Sequence, residues 1–154
     1  MFSCRRRSNL GWLLAALVAV TAVPLAKRAA RAQDVWDEST QAGAKASQDG
    51  RHAEAEEHFK AALREAEKPG AKGERLALSL RNLAELYRDQ GRYGEAEPLY
   101  RRSLAILEKA LGPQHPDVAT NLENYAALLR ATGRDAEAAE MEARAKAIRA
   151  KGIN

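Results

Sequence analysis

From about residue 36 to the C-terminus, apolar and small side chains recur at spacings of three and four. One stretch reads Leu80, Leu83, Ala84, Tyr87; another reads Leu122, Tyr125, Ala126, Leu129; a third reads Ala96, Leu99, Tyr100, Ser103, Leu104, Leu107. This is the period of a helix with one buried face. The pattern predicts helices over 34–49, 52–67, 74–90, 93–111, 116–132 and 135–150. Two linkers interrupt it: Pro69-Gly70-Ala71-Lys72-Gly73 and Gly112-Pro113-Gln114-His115-Pro116. Gly112 suits a helix C-terminus, and Pro116 suits a first turn with Asp117 near the positive end of the dipole. Pro98 lies a turn inside its helix and forfeits one backbone hydrogen bond, which predicts a mild bend rather than a break.

The pattern is also repeated. Gly50-Arg51-His52-Ala53-Glu54-Ala55, Gly91-Arg92-Tyr93-Gly94-Glu95-Ala96 and Gly133-Arg134-Asp135-Ala136-Glu137-Ala138 share Gly-Arg-x-x-Glu-Ala, with glycines 41 and 42 residues apart. Each copy is a helix, a Gly turn and a second helix. Seven residues before the Gly stand Gly43, Ala84 and Ala126; five after it stand Ala55, Ala96 and Ala138. Small residues at both sites let paired helices approach closely. Nine after the Gly, Phe59 and Tyr100 are bulky enough to plug the joint with the next copy, whereas the third copy has Glu142, as suits a terminal helix facing water. The first copy departs differently. Ala46 stands where the second has Tyr87, and Ala42 where it has Leu83, so Trp36 is the expected compensating anchor.

These motifs resemble the tetratricopeptide repeat, in the longer form of about 42 residues found in kinesin light chains and many bacterial proteins. The middle copy carries the resemblance most strongly, in Asn82-Leu83-Ala84-Glu85-Leu86-Tyr87, Gly91-Arg92-Tyr93 and Glu95-Ala96-Glu97-Pro98-Leu99-Tyr100. The linker Leu111-Gly112-Pro113-Gln114-His115-Pro116-Asp117-Val118-Ala119 is also typical of that subtype. The resemblance implies an all-α fold: helix-turn-helix repeats stacked as a short right-handed α-solenoid. Repeats fall at about 35–68, 76–111 and 118–151 within a domain of residues 33–154. It further implies a concave peptide groove on the first helices, with Gln41, Arg81, Asn82, Glu85, Arg88, Asn124 and Arg130 as groove residues. The amides of Asn82 and Asn124 suit a peptide backbone, and the arginines suit carboxylates. The competing reading has the two asparagines bonding only across neighbouring helices. Chaperone-type repeats clamp a C-terminal carboxylate through five positions, occupied here by Thr40, Ala44, Asn82, Thr120 and Asn124; only Asn82 matches.

The N-terminus has a different composition. Arg5-Arg6-Arg7, an apolar run from Leu10 to Ala26, and Ala30-Arg31-Ala32 form the pattern of a secretory signal peptide cleaved after Ala32. The alternative is an uncleaved signal anchor, since Lys27 and Arg28 follow the apolar run directly. Export to the periplasm or medium is the expectation, with membrane attachment only if the leader is kept. Six of the 25 basic side chains and none of the 21 acids fall in residues 1–32. The remaining chain holds 19 basic and 21 acidic groups and nets −2, so the basic overall charge gives no reason to expect a nucleic-acid partner.

Catalytic chemistry is not legible. Cys4, the single cysteine, excludes a disulfide framework, and His52, His58 and His115 lack metal-ligand spacing. Gly70-Ala71-Lys72-Gly73 is too short for a phosphate loop and follows a helix. Ser103 matches Ala62 and Ala145 of the other copies and reads as a small packing residue. The expectation is a non-enzyme without cofactor that binds a protein or peptide through its groove. Two rival roles are a structural or self-assembly element of an envelope complex and a membrane-tethered adaptor.

Overall fold

The computed structural model describes residues 35–152, so the expected leader lies outside the described residues. These form six helices: α1 (35–48), α2 (His52–Ala66), α3 (Gly73–Asp89), α4 (Tyr93–Leu111), α5 (Pro116–Ala131) and α6 (Asp135–Lys151). Every bound lies within a residue of the sequence expectation, and there is no strand among the described residues. α4 runs through Pro98 without interruption. Pro116 begins α5, where its missing N–H costs nothing, and His115 Nδ1 accepts from the Asp117 N–H at 3.2 Å. Helices pair as α3 with α4 and α5 with α6, and α2 and α4 each pack against the first helix of the following copy. Among the described residues no helix is long and apolar enough to cross a membrane.

The shared motif explains the turns. Gly50, Gly91 and Gly133 have φ of 73°, 74° and 75°, the left-handed region in which a Cβ is disfavoured. After each one the arginine N–H returns to a carbonyl of the preceding helix. Arg51 bonds Ala46 at 2.8 Å, Arg92 bonds Tyr87 at 2.8 Å and Arg134 bonds Leu129 at 2.9 Å. This six-to-one bond is a Schellman closure. It sets each arginine at the head of the second helix, where the motif glutamate in the first turn receives its guanidinium. Arg92 Nε meets Glu95 at 2.7 Å, and Arg134 Nε meets Glu137 at 2.7 Å.

Packing follows the small residues. Ala55, Ala96 and Ala138 are fully buried, as are Ala84 and Ala126. A Cβ on Gly43 would lie 2.6 Å from the Phe59 ring, so the absence of a side chain there is a packing requirement. One apolar cluster runs through all three copies, from Ala46 and Phe59 by Leu83, Tyr87 and Tyr100 to Tyr125 and Ala138. A second gathers Leu107, Val118, Leu122 and Ile148. Fully buried leucines such as Leu80, Leu86, Leu122 and Leu128 each contribute about 1.5–3 kcal/mol of burial. Trp36 is the anchor of the first copy: its ring packs with Ala62 and Ala66 and its indole donates to Ser79 Oγ at 2.9 Å.

One expectation needs correction. Ser103 is more than a small filler. It is fully buried, its hydroxyl donates to the Ala77 carbonyl at 2.8 Å, and it accepts from Asn121 Nδ2 at 2.6 Å. Glu142 faces water, as suits a terminal helix, and there its carboxylate takes a two-pronged contact from Arg130, at 2.9 and 2.7 Å.

Candidate functional site

The first helices of the copies, α1, α3 and α5, carry the expected groove residues. Between α1 and α3 is a hollow of about 210 Å³, walled by Ser47 and Gln48 on one side and Asn82, Glu85 and Asp89 on the other. Asn82 is half-buried in that wall. Gln41, one helix earlier, is exposed.

Between α3 and α5 the polar groups engage each other. Asn124 Nδ2 donates to Glu85 Oε1, and Arg81 Nε lies 3.6 Å from the same carboxylate oxygen. Burial pushes the Glu85 carboxyl above the usual range, against the opposite pull of Arg81 and Arg88. Arg88 donates to the Asp89 carboxylate through Nε at 3.0 Å and Nη2 at 2.8 Å. Beneath them the Tyr100 hydroxyl is fully buried with no hydrogen-bond partner.

The expected groove residues therefore divide. Asn82 lines an open hollow, Asn124 bridges α5 to α3, and Arg130 turns to Glu142 of α6. Equivalent sequence positions end in different surroundings because each has a different neighbour. Gln48 and Asp89, two residues before their glycines, belong to the hollow; extending the groove register toward the turn would have found them. Among the described residues no group of three His, Cys, Asp or Glu side chains is placed to hold a metal ion.

A family model for the tetratricopeptide repeat matches residues 38–109 and 75–151, and the chain belongs to that family. One similar solved structure is of the nearly identical TPR-like repeats of a protein named as a kinesin light chain from Podosopora anserina. It shares 24% identity at a TM-score of 0.61, over 76% of this chain and 56% of that one. Another is BtubC (BKLC) of P. vanneervenii, at 19% identity and a TM-score of 0.47, over 77% of this chain and 65% of that one. This chain thus spans less than two thirds of either, and the first likeness shows the fold alone. Tetratricopeptide repeats generally mediate protein–protein interactions, and their fold is typically a non-catalytic scaffold.

Proposed function

We propose that this is an exported, non-catalytic repeat protein that captures an extended peptide or protein segment in the groove of α1, α3 and α5. The observation that carries this reading is the hollow between α1 and α3. Its walls offer the amides of Asn82 and Gln48 and the hydroxyl of Ser47, groups able to donate to and accept from a peptide backbone. Export rests on the leader pattern of residues 5–32.

The end-face role as an assembly element receives less support. Ion pairs close the last copy on itself, with Arg130 to Glu142 and Arg149 to Glu123 at 2.6 Å. Site-specific photo-crosslinking in the native envelope separates the two. A crosslinker at Gln48 is expected to trap a partner, and one at Ala147 on α6 is not. Crosslinks from Ala147 alone would transfer the function to the end face.

A further inference from the structure

The charges of α6 reverse about its midpoint, Ala143. One, three, six and eight residues before it stand Glu142, Glu140, Glu137 and Asp135; at the same distances after it stand Arg144, Lys146, Arg149 and Lys151. The helix dipole accounts for such charges only in the first and last turns, whereas Glu140, Glu142, Arg144 and Lys146 lie in the middle. Neither α2 nor α4 is sorted this way: both carry a glutamate near their C-terminal ends, Glu65 and Glu108.

This helix packs against α5 alone among the described helices. The side turned to α5 is Ala138, Met141, Ala145 and Ile148. The opposite face is exposed. At the joint with the next copy α2 has Glu56 and Lys60, and α4 has Glu97 and Arg101; α6 has Ala139 and Ala143 in their places. With Ala136, Ala147 and Ala150 these fall within about 80° of the helix circumference. A face built only for water would be polar. Glu140 and Lys146 flank the alanines on opposite sides. Ion pairs to the rest of the chain use Glu142, Arg144 and Arg149. They leave Glu140 and Lys146, both exposed, without an ion-pair partner among the described residues.

We propose that two copies of this chain pair through α6, antiparallel, about a two-fold axis at Ala143. Turning one helix end for end lays its acidic half along the basic half of the other. Glu140 of each copy comes level with Lys146 of the other, and alanine meets alanine, so the backbones approach closely. A parallel pair would set acid against acid and base against base. One pair of 17-residue helices falls below the roughly 1,200 Å² of a stable interface, so the dimer is weak and salt-sensitive. The pairing does not depend on the groove reading. Because α6 is not part of the groove, a pair presents two grooves to one partner, which raises avidity without a new contact.

The test is disulfide trapping of the purified full chain in mild detergent, with Cys4→Ser removing the native cysteine. Ala143→Cys is expected to give a covalent dimer under mild oxidation. Ala136→Cys mixed with Ala150→Cys should give the mixed dimer and neither self-dimer, because like positions lie about 21 Å apart along the helices. Lys45→Cys, exposed on α1, is the control and should stay monomeric. Adding Glu140→Lys to Ala143→Cys should slow trapping about ten-fold, since both cross-pairs become repulsive. Adding Lys146→Glu as well should restore it, with helix content unchanged throughout. A crosslink from Ala147 to a second copy belongs to this pairing, and one to a different protein belongs to the end-face role.

No trapping at Ala143→Cys, equal trapping at Lys45→Cys, or self-dimers of Ala136→Cys or Ala150→Cys overturn the proposal. So does a double charge swap that keeps its helix content and fails to restore trapping.

Discussion

The two junctions between copies are built on one plan and completed differently. On the turn side of each, a glutamate six residues after the glycine is the acceptor. At the first junction Glu56 receives the Tyr87 hydroxyl at 2.9 Å, Arg92 at 2.7 Å and Lys60 at 2.7 Å. At the second, Glu97 receives the Tyr125 hydroxyl at 2.9 Å, Arg134 at 2.8 Å and Arg101 at 2.7 Å. The arginines are equivalent; the tyrosines are not. Tyr87 precedes its glycine by four residues and Tyr125 by eight, one helical turn apart on the same face. At the other end of the helices, Ser79 and Asn121 are equivalent buried polar residues. Ser79 takes its bond directly from the Trp36 indole. Ala77, in the place of Trp36, has no such reach, and Ser103 spans the gap where the first copy has Ala62.

The last copy keeps neither device. Ala139 replaces the acceptor glutamate and Ala143 the basic residue four further on. The difference teaches that the motif arginine works between copies as well as within one. Arg92 and Arg134 each hold their own helix and the preceding copy, whereas Arg51, with no preceding copy among the described residues, pairs with Asp49 and Glu54. The junctions depend on compensation: a large Trp36 with a small Ala62, and a small Ala77 with a bonding Ser103.

The largest expected effect tests the first junction. Trp36→Ala empties the ring's site and strands Ser79, and should cost about 3–5 kcal/mol. Hydrogen exchange should show α1 and α2 opening before α5 and α6; uniform opening would show that the junctions are not separable. Next comes the second junction, where Ser103→Ala leaves Asn121 Nδ2 buried without an acceptor, at about 1–3 kcal/mol by denaturant unfolding. Adding Asn121→Leu should recover part of that loss, and no recovery would show that the bond is not what Ser103 supplies.

A smaller effect separates the glutamates. Contacts from Arg92 and Lys60 hold the Glu56 carboxyl down at about 2, and Arg134 holds the Glu97 carboxyl below its ordinary value. A depressed folded value stabilises above the unfolded carboxyl range near about 4.3 and is lost as pH falls through the folded value. Glu56→Gln should therefore cost on the order of 1 kcal/mol at neutral pH after solvent screening, less in high salt. The gap from the parent should shrink between about pH 4 and pH 2; a gap independent of pH would exclude the carboxylate as its source. The smallest effect is Tyr100→Phe, which removes a hydroxyl with no partner. It should leave the thermal midpoint unchanged or slightly raised, by tenths of a kcal/mol at most, and a clear fall would reveal a bond to that hydroxyl.

The helices and their joints were legible from residue order alone. A helix face is a matter of spacing within one segment, a left-handed glycine of local backbone sterics, and the small residues at Ala55, Ala84 and Ala96 of what two helices need to touch. The roles of the polar side chains were not. Asn82 and Asn124 occupy the same register position, yet one lines a hollow and the other is bound to Glu85. Arg130 sits where Arg88 sits, yet one pairs with Asp89 on its own chain segment and the other with Glu142 on α6. A long polar side chain bonds to whatever acceptor the neighbouring helix brings within about 3 Å. That distance is set by the packing of all six helices together, which no single helix's periodicity contains.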